Sequence, residues 1–122
     1  MIETPVIRRP RESTWLWLYK IIAGVLIVFL LGIHLIVNHM IAASGLLSYG
    51  EVVSYYKIPF VVGMEVIFLM LVVSHALVGL RSILLDLNPS DKLLKITDAL
   101  MWLLGIVSTV YGVWLAWVIA NR

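Results

Sequence analysis

The chain contains no cysteine, which removes disulfides, thiol chemistry and iron–sulfur ligation by its own side chains. Charge is nearly as scarce. Asp, Glu, Lys and Arg make up 13% of the 122 residues, where a soluble domain carries about a quarter. The net charge of +2 is too small to recruit nucleic acid, which takes a concentrated basic surface. No internal repeat or low-complexity segment interrupts the sequence. Polar stretches long enough for a separate soluble domain are also missing, so catalysis that needs extramembrane mass would have to come from other chains.

What the chain has is hydrocarbon: 62% of its residues are hydrophobic and its mean hydropathy is +1.05. Three spans of about 20 residues joined by short loops take up nearly all of this length. The expected fold is therefore all-α and integral to the membrane. It has transmembrane helices over about 15–43, 58–85 and 98–120, behind a polar N-terminal arm over 1–14. The arm carries two prolines with Arg8, Arg9 and Arg11, and reads as irregular or bound to a partner. The apolar run over 21–41 exceeds the 7–15 residues of a secretory h-region, so a cleaved leader is not expected.

Trp15, Trp17 and Tyr19 open the first span, where aromatic rings anchor a helix among headgroups. Lys20 can snorkel back to the same level. Gly24 and Gly32, eight residues apart, let something bulky approach the backbone. Residues 44–57 read as a short loop or interfacial turn with three tyrosines. Pro59 suits the first turn of the second helix. Asn88-Pro89-Ser90-Asp91 reads as a turn and N-cap before the third, with an amphipathic lead-in from Lys92. Ser108, Gly112, Ala116 and Ala120 then form a small-residue stripe suited to close helix packing.

Basic residues set the orientation. Arg8, Arg9, Arg11, Lys20, Arg81, Lys92 and Lys95 fall on one side, and Lys57 and Arg122 on the other. The N-terminus is expected inside and the C-terminus outside, in a multi-pass protein of the cell's inner (cytoplasmic) membrane.

The titratable residues inside the spans are the informative ones. Residues 74–81 read Ser-His-Ala-Leu-Val-Gly-Leu-Arg, with His75 deep in an apolar run and Gly79 one turn later on the same face. An imidazole in hydrocarbon needs a partner. Haem iron is one such partner; a hydrogen bond from a neighbouring helix is another. His34 is expected about 8 Å to the outside of the membrane middle and His75 about 5 Å to the inside, at 1.5 Å per residue. The two therefore do not suit one iron, but each could supply half the ligation of two stacked haems. His39 falls near the outer interface, within reach of water. Glu65 can snorkel or pair with Lys57, carry protons, or hydrogen-bond a cofactor. Arg81 and Asp86 close the second span as interfacial charges, and Arg81 can also meet haem propionates. A proton relay through His34, Glu65 and His75, in a small transporter or channel subunit, is the rival reading from another class.

His75-Ala76-x-x-Gly79-x-Arg81-x-x-x-x-Asp86 resembles the H-x-x-x-G-x-R/W-x-x-x-x-D signature of the cytochrome b membrane anchors of succinate dehydrogenase (succinate:quinone oxidoreductase, complex II). The aromatic opening of span one, the Gly32/His34 pair and the three-span length resemble the smaller of the two anchors in that family. The resemblance implies half of a helical bundle, completed by a second anchor subunit, which together provide the docking surface for an iron–sulfur subunit and a flavoprotein subunit. It implies one or two b haems shared with the partner, with His75 an axial ligand, His34 the ligand of a second haem, and Arg81 at the propionates. Gly79 and Gly32 would then pack against the macrocycles. It also implies a quinone substrate, toward which Lys20 and Asp86 are this chain's candidate contacts. Two positions depart from the pattern: Leu87 follows Asp86 where several relatives carry tyrosine, and Ile21-Ile22-Ala23-Gly24 stands where many have Arg-x-Ser-Gly. A haem-free anchor of the same kind of complex is the remaining alternative.

Overall fold

The computed structural model describes residues 12–40 and 45–122. Most of the expected N-terminal arm, and the last residues of the expected first span, lie outside the described residues. The first helix, α1, runs Thr14–Leu35 and continues into one π-helical turn, Ile36–Met40. A short helix, α2, covers Tyr49–Tyr56. The other two long helices are α3, Pro59–Asp86, and α4, Asp91–Ala120. Three helices are thus long and apolar enough to cross a membrane, and no strand occurs among the described residues.

The helix ends follow local chemistry. Pro59 opens α3, where its missing N–H costs nothing. Beyond Leu87, Asn88 takes a left-handed φ of 54°, a conformation that asparagine tolerates better than branched side chains. Ser90 then caps α4 by accepting from the Leu93 amide at 3.3 Å. Two features differ from expectation. Residues 91–97 are the first turns of α4 rather than a separate lead-in. At 1.5 Å per residue a helix of 30 residues spans about 45 Å, so those turns stand in the headgroup region outside a hydrocarbon core of about 30 Å. The expected loop over 44–57 contains α2, whose signal was Ser48-x-x-Glu51. Ser48 Oγ accepts from the Glu51 amide and Glu51 accepts from the Ser48 amide at 2.7 Å, a complete capping box.

α3 lies between α1 and α4, which do not contact each other among the described residues. The spans therefore form a single layer rather than a closed bundle. Small residues bring the helices together: Ala23 of α1 and Ala116 of α4 are buried, and otherwise only Val61 and Met64 of α3 are among the described residues. A methyl on Gly112 would lie 2.3 Å from Leu69 Cδ2, and one on Gly105 2.8 Å from Leu77 Cδ1. Part of the expected stripe thus packs against α3. Large apolar side chains face outward instead, Val28, Phe29 and Trp102 among them. In a bilayer such faces meet lipid or another membrane chain at no hydrophobic cost.

Candidate functional site

The antiparallel layer has two distinct ends. Lys20, Arg81, Lys92 and Lys95 mark a basic end, while α2, Lys57 and Arg122 mark the other. His75 lies toward the basic end and His34 toward the α2 end. His75 faces Gly24 across the α1–α3 contact, so that a methyl at Gly24 would lie 3.4 Å from the imidazole Cε1. His34 faces Glu65 across the same contact. The two histidines are therefore ten residues apart along either helix, about 15 Å in height, well beyond the reach of one iron.

His75 is the less satisfied of the pair. Its Nδ1 is buried and makes no hydrogen bond among the described residues. The polar side chain before it is already committed: Ser74 Oγ donates to the Met70 carbonyl at 2.5 Å and accepts from the Tyr19 hydroxyl. An orphaned ring nitrogen in a buried setting costs about 1–3 kcal/mol, and here it lies in the part of α3 that the sequence pattern singles out. Gly79, one turn on, faces open space: a methyl there would meet nothing within 4 Å. Gly32 is equally open. What approaches α1 closely is therefore the His75 ring, and at Gly24.

Two of the charges at the basic end, Lys20 and Arg81, are paired within the chain. Lys20 Nζ donates to Glu12 Oε2 and to Ser82 Oγ, each at 2.7 Å, and Ser82 donates to Glu12 Oε1 at 2.7 Å. These bonds, Lys20's first and then Ser82's, hold the Glu12 carboxyl below the usual carboxylate range. Arg81 grips Asp98 with two bonds, Nε to Oδ1 at 2.7 Å and Nη2 to Oδ2 at 3.1 Å, fastening α3 to the start of α4. Nη1 makes no hydrogen bond among the described residues. Asp86 is exposed in the last turn of α3.

At the α2 end the arrangement differs. His34 Nδ1 lies 2.9 and 3.1 Å from the two oxygens of Glu65, whose side chain is 9% exposed. Glu65 does not pair with Lys57; its second partner is the Tyr55 hydroxyl, which donates to Oε1 at 3.4 Å. Burial, then the charge of Glu65 and the bond to it, push that phenol up to about 12, so it remains a donor at any physiological pH. The His34 ring lies 5.5 Å from that of Phe68 and borders a cavity of about 330 Å³ also lined by Glu65, Leu69, Gly112 and Ala116. His39, at the exposed end, contacts the Gly45 carbonyl oxygen through Nδ1 at 3.3 Å.

Sequence reasoning missed the partners rather than the residues. Asp98, Glu12 and the Tyr55–Glu65–His34 chain join positions from 8 to 70 apart, and no local pattern marks such pairs. A continuous relay is absent among the described residues: His34 and Glu65 are joined, but His75 stands apart with no hydrogen bond. No three His, Cys, Asp or Glu side chains converge on one point among the described residues. Each histidine therefore stands as a single candidate ligand rather than as part of a cluster within the described residues.

With this geometry in view, the comparisons with known proteins are specific. Residues 5–113 match the family model of the succinate dehydrogenase/fumarate reductase transmembrane subunit. The chain is 34% identical over 99 residues to the succinate dehydrogenase hydrophobic membrane anchor subunit of Archaeoglobus fulgidus, covering 81% of this chain and 84% of that protein. It is 24% identical over 100 residues to the protein of the same name from Thermoplasma acidophilum, covering 82% and 81%. It is 32% identical over 99 residues to the succinate dehydrogenase 2 membrane subunit SdhC of Mycobacterium tuberculosis, covering 81% and 71%. No solved structure matches the chain. The open single layer of three apolar helices and the match over most of its length agree, and the chain belongs to the succinate dehydrogenase/fumarate reductase transmembrane subunit family as a membrane anchor.

Proposed function

We propose that this anchor is a haem-binding, electron-transfer subunit of a succinate:quinone oxidoreductase, with His75 as an axial ligand. The observation that carries the reading is the His75 imidazole, buried at Nδ1 and without a hydrogen bond among the described residues. Its neighbours fit a bulky group, since Gly79 opens onto free space on the same face. A b-type haem, when bound, supplies reversible one-electron exchange. This chain's part is to hold the imidazole against Gly24, exclude water from it with apolar helix faces, and set charge nearby. Arg81, fixed by Asp98, retains Nη1 to donate to a propionate. His34 would serve a second haem at the other height.

The same reading gives the chain its surroundings. A second anchor would cover the faces left open by the single layer and complete the bundle and the ligation. The iron–sulfur and flavoprotein subunits would dock at the basic end, inside the cell, with the anchor seated in the cytoplasmic membrane. There, Lys20, with one ammonium proton beyond its bonds to Glu12 and Ser82, offers a donor at headgroup depth and Asp86 an exposed carboxylate, which supports a contribution to quinone binding. The test is the reduced-minus-oxidised absorption spectrum of the purified complex. A b-type band that His75→Ala removes or shifts is expected. No such band in the wild-type complex would leave a haem-free anchor, and a band unchanged in the variant would take the role from His75.

A further inference from the structure

We propose that Glu65 is a positioning residue for His34, holding its proton on Nδ1 so that Nε2 is the nitrogen free to bind iron. The inference rests on the haem-holding reading above and adds to it the residue that prepares the second ligand. The geometry is specific on three counts. Both carboxylate oxygens lie within hydrogen-bond reach of Nδ1, at 2.9 and 3.1 Å, and a carboxylate only accepts, so the nitrogen between them is the donor. The Asn38 amide, 3.3 Å from the same nitrogen, has its own acceptor in the His34 carbonyl oxygen at 2.8 Å and does not compete for the imidazole proton. Nε2 makes no hydrogen bond among the described residues, and the ring borders the apolar cavity beneath Gly112 and Ala116.

A carboxylate 9% exposed on a membrane-spanning helix is expensive unless positive charge or strong donors meet it. A neutral imidazole and a phenol at 3.4 Å are modest compensation. An imidazole whose other nitrogen holds ferric iron is a stronger one, because the metal draws electrons from the ring and strengthens its N–H as a donor. Carboxylate–histidine–metal triads have this geometry, and loss of the outer partner typically costs 10–100-fold in metal affinity. The π-helical turn that follows His34 belongs to a class of helix irregularity frequent at functional sites.

The experiment is a redox titration of the b bands in the purified complex, with electron paramagnetic resonance of the ferric haems, for wild type, His34→Ala, Glu65→Gln and Glu65→Ala. His34→Ala is expected to remove one of two haems. Glu65→Gln should keep both and raise the midpoint potential of that same haem by about 59 mV for each tenfold loss of ferric preference, leaving the other in place. Glu65→Ala should lower its occupancy. Loss of one haem in His34→Ala, with potential and resonance signal unmoved in both Glu65 variants, would overturn the role of Glu65 while sparing the haem reading. Full haem content in His34→Ala would overturn the ligand role of His34 and this inference with it.

Discussion

The two ends of this layer keep an imidazole in hydrocarbon in different ways. At the α2 end, His34 is held by a carboxylate of the neighbouring helix, itself held by Tyr55. Toward the basic end, Tyr19 pairs with Ser74, next to His75 in the chain, and Lys20 with Glu12 and Ser82, while the buried Nδ1 of His75 has no hydrogen bond among the described residues. The contrast separates a ring whose orientation is fixed by a partner from one whose Nδ1 carries an unmet hydrogen-bonding cost. It also gives the two ends separate expected responses to mutation.

The largest effect is expected at His75. Replacing an unpaired buried polar group by an apolar one of similar size is ordinarily neutral or stabilising. If iron is its partner, His75→Leu instead lowers the thermal stability of the complex and loses the associated haem. Differential scanning fluorimetry alongside absorption at the b band checks both at once, and a stabilised variant with intact absorption would make the two ends alike. Next comes the packing on which both ends depend. Gly112→Val drives a branched side chain against Leu69, where even a methyl would lie at 2.3 Å, and overpacking of this kind costs about 1–3 kcal/mol. Reduced recovery of assembled complex and a lower melting temperature are expected, with Gly105→Ala milder because only the tip of Leu77 must move.

Smaller effects separate the ends further. Asp98→Asn leaves Arg81 without its carboxylate, but both side chains are about a third exposed, so about 0.5–1 kcal/mol is the expected loss. A chemical denaturation midpoint in detergent would register it. The Glu12 contact should be the most pH-sensitive of those at the basic end. Its carboxyl is held below the ordinary range in the folded chain, so its contribution is complete above the unfolded value and fades as pH falls through the lowered folded one. Limited proteolysis near residue 12 should therefore accelerate only once pH falls below the usual carboxylate range, and Glu12→Gln should show that faster cleavage already at neutral pH.

The long apolar runs made the three spans readable, because nothing but a bilayer suits that composition over this length. The capping box at Ser48 and Glu51 made α2 readable in principle, but three tyrosines and two glycines disguised it as a turn. His75, Gly79 and Arg81 carry a pattern that survives in linear sequence. Glu65 does not: its partner lies 31 residues away on another helix, and choosing between Lys57 and His34 requires the register of α1 against α3. Gly24 shows the same limit. As a small residue it was legible as a place of close approach, but only the helix crossing reveals that the approaching group is the His75 ring.

The haem-to-complex ratio of the purified wild-type assembly, set beside that of His75→Ala, tests the central claim most directly. With His75 as a haem ligand, the wild type carries at least one b haem per complex and the variant a ratio lower by one. Equal ratios in the two preparations would contradict it.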